Sequence, residues 1–158
     1  MNDITMPGLV PITDLSVNVA PPIDVGMTPH GVRRIIPLLD GTFAGPRLNG
    51  RLIPGGSDFQ YWRNDGCTEI HARYVLETDA GALIYVESTG LRHAPPEAMD
   101  RLARGLPVDP AEVYFRTSVR CETAAPDLAW LNRSIILSSG ARYPDRVQIG
   151  RASCRERV

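Results

Sequence analysis

Long stretches in which apolar and polar residues alternate are the feature that most constrains the fold of this 158-residue chain. Side chains of a β-strand point alternately to opposite faces of a sheet, so strict alternation predicts strands with one apolar face. The clearest example is residues 111–123, whose two faces would be Val113, Phe115, Thr117, Val119 and Cys121 against Tyr114, Arg116, Ser118, Arg120 and Glu122. Further strands are predicted at residues 12–20, 31–39, 47–53, 58–63, 66–77, 82–92, 128–139 and 145–149.

A single short segment, residues 95–105, has the sequence of an α-helix. Pro95 or Pro96 stands at its start, acidic residues occupy its first turn, and Gly105 ends it. Eight or nine strands with one short helix predict an all-β protein, and their short, regular spacing predicts an antiparallel barrel or sandwich. We expect one domain over residues 1–148, because a chain of this length suits a single hydrophobic core.

The composition argues against several functional classes. The net charge is −1 and no basic, aromatic platform is present, so we expect no nucleic acid or membrane partner. All 17 basic residues are arginine, which excludes a lysine Schiff base and a Walker lysine. Three cysteines without CxxC spacing, no signal peptide and no apolar run near ~20 residues predict a reduced, cytoplasmic protein. His30, His71 and His93 lack ligand spacing, so no metal site is expected.

Residues 41–59, GTFAGPRLNGRLIPGGSDF, are rich in glycine and proline and have two interpretations. A phosphate-binding loop requires GxxxxGK[ST] or GxGxxG between a strand and a helix, whereas predicted strands flank this segment on both sides. We therefore predict that these glycines mark sharp bends and close approach of backbones. Asp58 directly follows one such place, as a turn cap or as a functional carboxylate.

The last ten residues, 149–158, resemble a translated sequencing adaptor. On that interpretation the natural reading frame ends near Gln148, and Cys154 and the neighbouring arginines carry no functional information. The alternative is a native basic terminus. We predict a non-native tail over 149–158.

Four segments together resemble a known family: GVRRIIPLLDGTFAGPRLNGRLIPGGSDF, HARYVLETDAGALIYVESTG, VYFRTSVRCET and WLNR. Through them, residues 10–148 resemble the domain-of-unknown-function family 3237. Asp40 and Ala80 depart from the family pattern, which commonly has glycine and aspartate at these positions. The resemblance implies a compact antiparallel β-barrel, similar in outline to lipocalin-like barrels, in small bacterial cytosolic proteins. It implies no established reaction.

The loop between residues 66–77 and 82–92 sets the register of a hairpin. Its sequence TDAGA predicts a type I turn with Gly81 in the left-handed region, so that Thr78 closes against Ala82. In this register Arg73 lies opposite Glu87. A two-residue turn would shift the pairing by one and place the two charges on opposite faces. We prefer the bulged turn because it separates apolar from polar residues more cleanly.

The Arg73–Glu87 pair is either a solvated surface ion pair, worth about 0–1 kcal/mol, or part of a face that lines the barrel. In the second case Arg73 binds a carboxylate or enolate, and Glu87 or Asp58, desolvated, moves a proton. Each further candidate also has a structural alternative: core packing, turn capping or solvent exposure. The candidates for substrate binding are Tyr61, Trp62, His71, Tyr85, Tyr114, Arg116, Glu122, Trp130 and Asn132.

These residue types predict a cofactor-free lyase, isomerase or hydratase that acts on a small carbonyl or carboxylate compound. The alternative is a carrier or sensor that binds a small molecule in the same pocket without changing it. Apolar residues on both faces of the strands also predict a homodimer.

Overall fold

The structure, a computed structural model, describes residues 4–156 and consists mostly of strands. The strands are β1 (Pro7–Val19), β2 (Ile23–Thr28), β3 (Gly31–Ala44), β4 (Gly50–Trp62), β5 (Thr68–Thr78), β6 (Leu83–His93), β7 (Tyr114–Glu122), β8 (Ile136–Arg142) and β9 (Arg146–Glu156). The helical elements are α1 (Pro96–Ala103) and two 3-10 segments, Pro110–Glu112 and Pro126–Arg133. None of the helices within residues 4–156 is long and apolar enough to cross a membrane.

Eight of the strands form a closed antiparallel β-barrel, which confirms the predicted fold class. Their order is β1-β9-β8-β7-β6-β5-β4-β3, and β3 pairs back with β1, with Phe43 opposite Leu15. β2 forms a hairpin with the first part of β3, where Ile23 lies opposite Ile35. Because β1 pairs with β9 on one side and with β3 on the other, the barrel uses the backbone hydrogen bonds that an open sheet would leave at its edges.

The bend in β4 joins the two strands predicted at 47–53 and 58–63 into one. Its pairing with β5 shifts register between Ile53 and Ser57. Gly55 has a φ of +119°, and a Cβ on Gly56 would lie 2.5 Å from the Arg73 carbonyl oxygen. The prediction that these glycines mark a bend with close backbone approach is confirmed.

The segment 126–133 differs from its predicted structure. It forms a 3-10 segment with Pro126 at its start, so β8 begins only at Ile136. The prediction of one strand over 128–139 is therefore wrong in its first half, where the alternation of apolar and polar residues resembles that of a strand.

Strands β2 and β9 also differ from the predicted strands. β2 was not predicted, because Ile23–Thr28 contains Gly26 and most of its side chains are exposed. β9 extends beyond the predicted strand 145–149 and pairs with β1 as far as Glu156. A translated adaptor at 149–158 stays a prediction, and residues 157–158 lie outside the described residues.

The β5–β6 hairpin has the predicted register. Arg73 lies opposite Glu87, Gly81 has a φ of +86°, and the Thr78 N–H donates to the Ala82 carbonyl at 2.9 Å. The hypothesis that Arg73 and Glu87 line the barrel is wrong, because Arg73 is exposed, Glu87 is half-buried and both lie on the outer face. The inner face is formed by the buried residues that alternate with the outward-facing ones along β5 and β6: Ile70, Ala72, Tyr74, Leu76, Ile84 and Val86.

The two ends of the barrel interior differ in chemistry. At the closed end, mostly hydrocarbon side chains fill the interior: Leu15, Phe43, Leu52, Leu76, Ile84, Val86, Val119, Leu131 and Ile136. Leu131 comes from the 3-10 segment 126–133. The barrel interior also contains the buried Arg151, which lines neither cavity and whose guanidinium donates to the Tyr74 hydroxyl. At the open end, polar and charged side chains surround two cavities beneath α1: Arg34, Asp58, Gln60, Arg92 and Arg142.

Candidate active site at the open end of the barrel

Two adjoining cavities occupy the open end. The inner cavity, of about 50 Å³, lies inside the barrel, and the outer cavity, of about 230 Å³, lies between the barrel rim and α1. The inner wall is mostly apolar, with a few polar groups: Asp58, Tyr74, Ser88, Thr117 and Ser138. The residues that line both cavities are Ile36, Gln60, Arg92 and Arg142. Apolar walls with a few converging polar groups are typical of small-molecule sites.

Asp58 is a buried carboxyl group that closes a gap in the sheet. The ladder between β4 and β5 is interrupted after Asp58, and the His71 N–H donates to its Oδ1 at 2.9 Å. Gln60 Nε2 donates to its Oδ2 at 2.7 Å. Burial raises the pKa of Asp58, and these hydrogen bonds and the positive charge of Arg92 offset only part of that rise. A carboxyl group with a raised pKa can accept and return a proton closer to neutral pH.

Arg92 is a buried cation that forms no salt bridge within residues 4–156, and Asp58 is a carboxyl group whose charge acts on it. The Arg92 guanidinium lies 5.6 Å from the centroid of the Phe115 ring. Its Nε is buried without a hydrogen-bond partner in the described chain. Burial lowers the pKa of Arg92 to about 10, so the group remains charged at neutral pH. A buried cation with an unpartnered N–H costs free energy, which an anionic ligand would offset.

Arg34 and Arg142 add positive charge beside Arg92. The Arg34 guanidinium lies 4.5 Å from the centroid of the Trp62 ring, and its buried Nε has no partner within residues 4–156. The pKa of Arg142 is lowered first by burial and then by the positive charge of Arg34. Asp58 is the one acidic side chain among the described residues that line either cavity. The open end therefore has an excess of positive charge that favours a small anion.

A row of hydroxyl groups on β6, β7 and β8 lines the inner cavity. Ser88 Oγ donates to Thr117 Oγ1 at 2.9 Å, and the hydroxyls of Thr117 and Ser138 are also hydrogen-bonded to each other. All three side chains are buried. Because a hydroxyl both donates and accepts, this row can contact a ligand oxygen without adding charge.

The donor set suits an organic anion better than a metal ion. Three guanidinium groups repel a cation. No group of three or more His, Cys, Asp or Glu side chains in the part of the chain that the structure describes is placed to hold a metal. The same guanidinium groups would hold the anionic group of a substrate or of an organic cofactor.

Two of the residues predicted from the sequence, Asp58 and Trp62, line the cavities. On β4, β5 and β6 the even-numbered residues point inward, so the odd-numbered candidates there point outward. On β7 the parity is reversed, and the even-numbered candidates point outward. Tyr85 donates to Glu87 Oε1 at 2.8 Å on this outer surface. The expectation that the lumen contains these residues is wrong for Arg73, Glu87, Tyr61, His71, Tyr85, Tyr114, Arg116 and Glu122.

Trp130 and Asn132 lie outside the site, on the 3-10 segment 126–133. The Trp130 ring is 3.6 Å from the Arg47 guanidinium. The Asn132 side chain accepts from the Thr123 N–H at 2.8 Å and donates to the Thr123 carbonyl at 3.0 Å. The prediction that these two residues share one face of a strand is wrong, and their contacts match the structural alternative of a packed Trp and a capping Asn.

The sequence reasoning missed Arg34, Arg92 and Arg142. A signal for Arg92 was present, because the predicted hairpin register places it on the same inward face as Ile84 and Val86. A charged residue on an apolar strand face is expected to be paired or functional. The inward direction of Arg34 and Arg142 depends on β3 and β8, whose register the sequence did not define.

The comparisons with known proteins agree with this architecture. The family model for the protein of unknown function DUF3237 matches residues 7–151. The UPF0311 protein RPA1785 of Rhodopseudomonas palustris is 47% identical over 119 residues, which cover 75% of this chain and 78% of that protein. Its crystal structure has a TM-score of 0.90 and covers 96% of this chain and 99% of that chain at 38% identity.

Two further crystal structures are similar. A β-barrel-like protein of Acinetobacter baumannii has a TM-score of 0.86 at 36% identity and covers 98% of this chain and 100% of that chain. An enzyme from Penicillium herquei has a TM-score of 0.73 at 18% identity and covers 98% of this chain and 99% of that chain. At this identity the second likeness concerns the fold alone.

Proposed function

We propose that this chain, which belongs to the DUF3237 family of proteins of unknown function, is a cofactor-independent acid–base enzyme for a small anionic carbonyl compound. The observation that carries the proposal is a buried carboxyl group, Asp58, in the same cavity as a buried cation, Arg92, whose Nε has no hydrogen-bond partner among residues 4–156. Proton transfer beside a carbonyl is the step that lyases, isomerases and hydratases of this type share. Arg92 and Asp58 thus take the anion-binding and proton-transfer roles that the sequence analysis gave to Arg73 and Glu87, which lie on the outer face.

Asp58 is the acid–base group in this mechanism. Its carboxylate takes a proton from the carbon next to the substrate carbonyl, and the C–H electron pair moves to form an enolate oxygen. Arg92 lies beside the cavity and stabilises that developing negative charge. The protonated Asp58 then returns its proton to the substrate, which completes an isomerisation or follows loss of a leaving group. The raised pKa of Asp58 makes the carboxylate a stronger base than an exposed aspartate.

A carrier that leaves its ligand unchanged is favoured by one specific observation. Both carboxyl oxygens of Asp58 already accept a hydrogen bond, from the His71 N–H and from Gln60. In a carrier, Asp58 would serve the sheet alone, and the arginines would retain the ligand.

Deuterium exchange separates the two functions without knowledge of the natural substrate. We expect the protein in D₂O to accelerate loss of the protons next to the ketone carbonyl, measured by proton NMR: those on C3 of pyruvate and other 2-oxo acids, or those on C2 of 3-oxo acids. Asp58→Asn keeps an acceptor for the His71 N–H and should slow this exchange by about 10²–10⁴-fold. Glu87→Gln on the outer face is the matched control and should exchange like the wild type. Acids that bind, by calorimetry, but exchange only at the buffer rate would overturn the enzyme proposal in favour of the carrier.

A further inference from the structure

The outer cavity has an apolar roof and wall above a charged floor. α1 contributes Met99 and Leu102, Leu106 follows the helix, and the Trp62 ring lies on the barrel side. These residues are only partly buried in the structure. An apolar group of a ligand in this cavity would remove their surfaces from water, which is favourable in proportion to the area covered.

Positive charge is concentrated where the two cavities meet. Arg92 and Arg142 line both cavities, and Arg34 lines the outer cavity alone. The fourth arginine of the outer cavity, Arg104, is already paired with Asp100 at 3.0 Å. A ligand is therefore expected to place its anionic group inward and an uncharged part beneath α1.

The two volumes divide a ligand unequally. The inner cavity of about 50 Å³ has room for only a few atoms, since one water-sized group needs roughly 10–15 Å³. The outer cavity of about 230 Å³ is larger than the roughly 150 Å³ cavity that accommodates a benzene ring. A carboxylate and its neighbouring carbonyl fit the first space, and a ring or branched alkyl group fits the second.

We infer that the substrate is a 2-oxo or related carbonyl acid with an apolar substituent, and that α1 selects it through Met99 and Leu102. The inference rests on the proposed function for the position of the carboxylate and carbonyl in the inner cavity. Asp58 lies beside the inner cavity, so the carbon that joins the head group to the apolar substituent is placed next to the acid–base group.

Calorimetric titration with pyruvate and phenylpyruvate tests this selection in the full chain. We expect phenylpyruvate to bind about tenfold tighter or more, because it adds a buried apolar ring to the same head group. Leu102→Asn and, separately, Met99→Gln should remove most of that gain and leave pyruvate affinity within about twofold. Glu97→Gln, an exposed position on α1 outside the cavity, is the control and should retain the full gain.

The outcomes separate this inference from the proposed function. Equal affinity of the wild type for the two acids, with Asp58-dependent exchange of pyruvate intact, overturns the role of α1 alone. Equal weakening of both acids by Leu102→Asn and by the near-isosteric Met99→Gln also overturns it. If neither acid binds the wild type at millimolar concentration, both proposals are overturned; if pyruvate alone binds, only the role of α1 is overturned.

Discussion

The closed and open ends of the barrel are built from the same strands but differ in what the strands carry inward. On β6, Ile84 and Val86 at the closed end are 1% and 0% exposed, and Arg92 at the open end is 5% exposed. On β6, burial is thus nearly complete at both ends, while the chemistry changes from hydrocarbon to a charged group. The closed end therefore stabilises the fold, and the buried charge at the open end costs stability; we propose that a ligand offsets this cost.

The largest expected effect on stability comes from the closed end. Ile84→Ala removes a fully buried side chain and should lower the free energy of unfolding by about 2–5 kcal/mol, measured by urea denaturation. Pyruvate affinity of the folded fraction should stay unchanged, because Ile84 does not line either cavity. Loss of pyruvate affinity without loss of stability would contradict the division between the two ends.

Arg92→Met should act in the opposite direction at the open end. Replacing this buried cation, whose Nε has no hydrogen-bond partner among residues 4–156, with an apolar side chain of similar length should stabilise the protein by about 1–3 kcal/mol. The same change should abolish carboxylate binding in calorimetry, because the central positive charge of the site is lost. Arg73→Met on the exposed outer face is the matched control, with binding retained. A destabilised Arg92→Met variant that still binds pyruvate would remove the basis of the comparison.

Asp58 gives the open end a pH dependence that the closed end lacks. Burial raises the pKa of Asp58 in the native state. Below about 3.9, the pKa in the unfolded state, Asp58 is protonated in both states and its ionisation does not affect stability. As pH rises from there through the raised native pKa, the unfolded state releases its proton first, and stability is lost. The free energy of unfolding of wild type relative to Asp58→Asn should therefore decrease over this range. A difference that increases with pH would show that the carboxylate is stabilised by its partners.

The smallest effects are expected on the outer wall. Arg73→Gln and Glu87→Gln each alter an exposed or half-buried charge and should change stability by about 0–1 kcal/mol. Pyruvate affinity should be unchanged within about twofold. A tenfold loss of affinity in either variant would show that this pair belongs to the site. It would contradict the assignment of the even-numbered residues of β5 and β6 to the barrel interior.

The sequence predicted the elements of the fold better than the direction of their faces. Gly81 and the TDAGA loop fixed which residues of β5 and β6 are opposite each other, because turn geometry is local. The charged residues Arg73 and Glu87 then led to the wrong inward face. The apolar residues Leu76, Ile84 and Val86 on the opposite face are the ones expected in the barrel interior. Arg92 was overlooked because a single charged residue at the end of an apolar face has little weight in a periodic pattern.

Asp58 was found because its position after Gly55 and Gly56 reflects a local constraint on the backbone. Trp130 was misplaced because 3-10 segments have no hydrophobic period as clear as that of a helix or a strand. Arg34 and Arg142 meet Arg92 only through barrel closure, which joins residues distant in sequence. Contacts of that kind depend on the register of several strands at once, and alternation alone does not define it.

The central claim is that the buried Arg92 binds the anionic group of a ligand. The most direct test is an NMR titration of the arginine Nε–H signals of ¹⁵N-labelled protein with pyruvate, with the Arg92 signal assigned by its absence from Arg92→Met. We expect that signal to shift until binding saturates, while the signal of the exposed Arg73 stays in place. An Arg92 signal that does not move at concentrations that saturate pyruvate binding in calorimetry would contradict the claim.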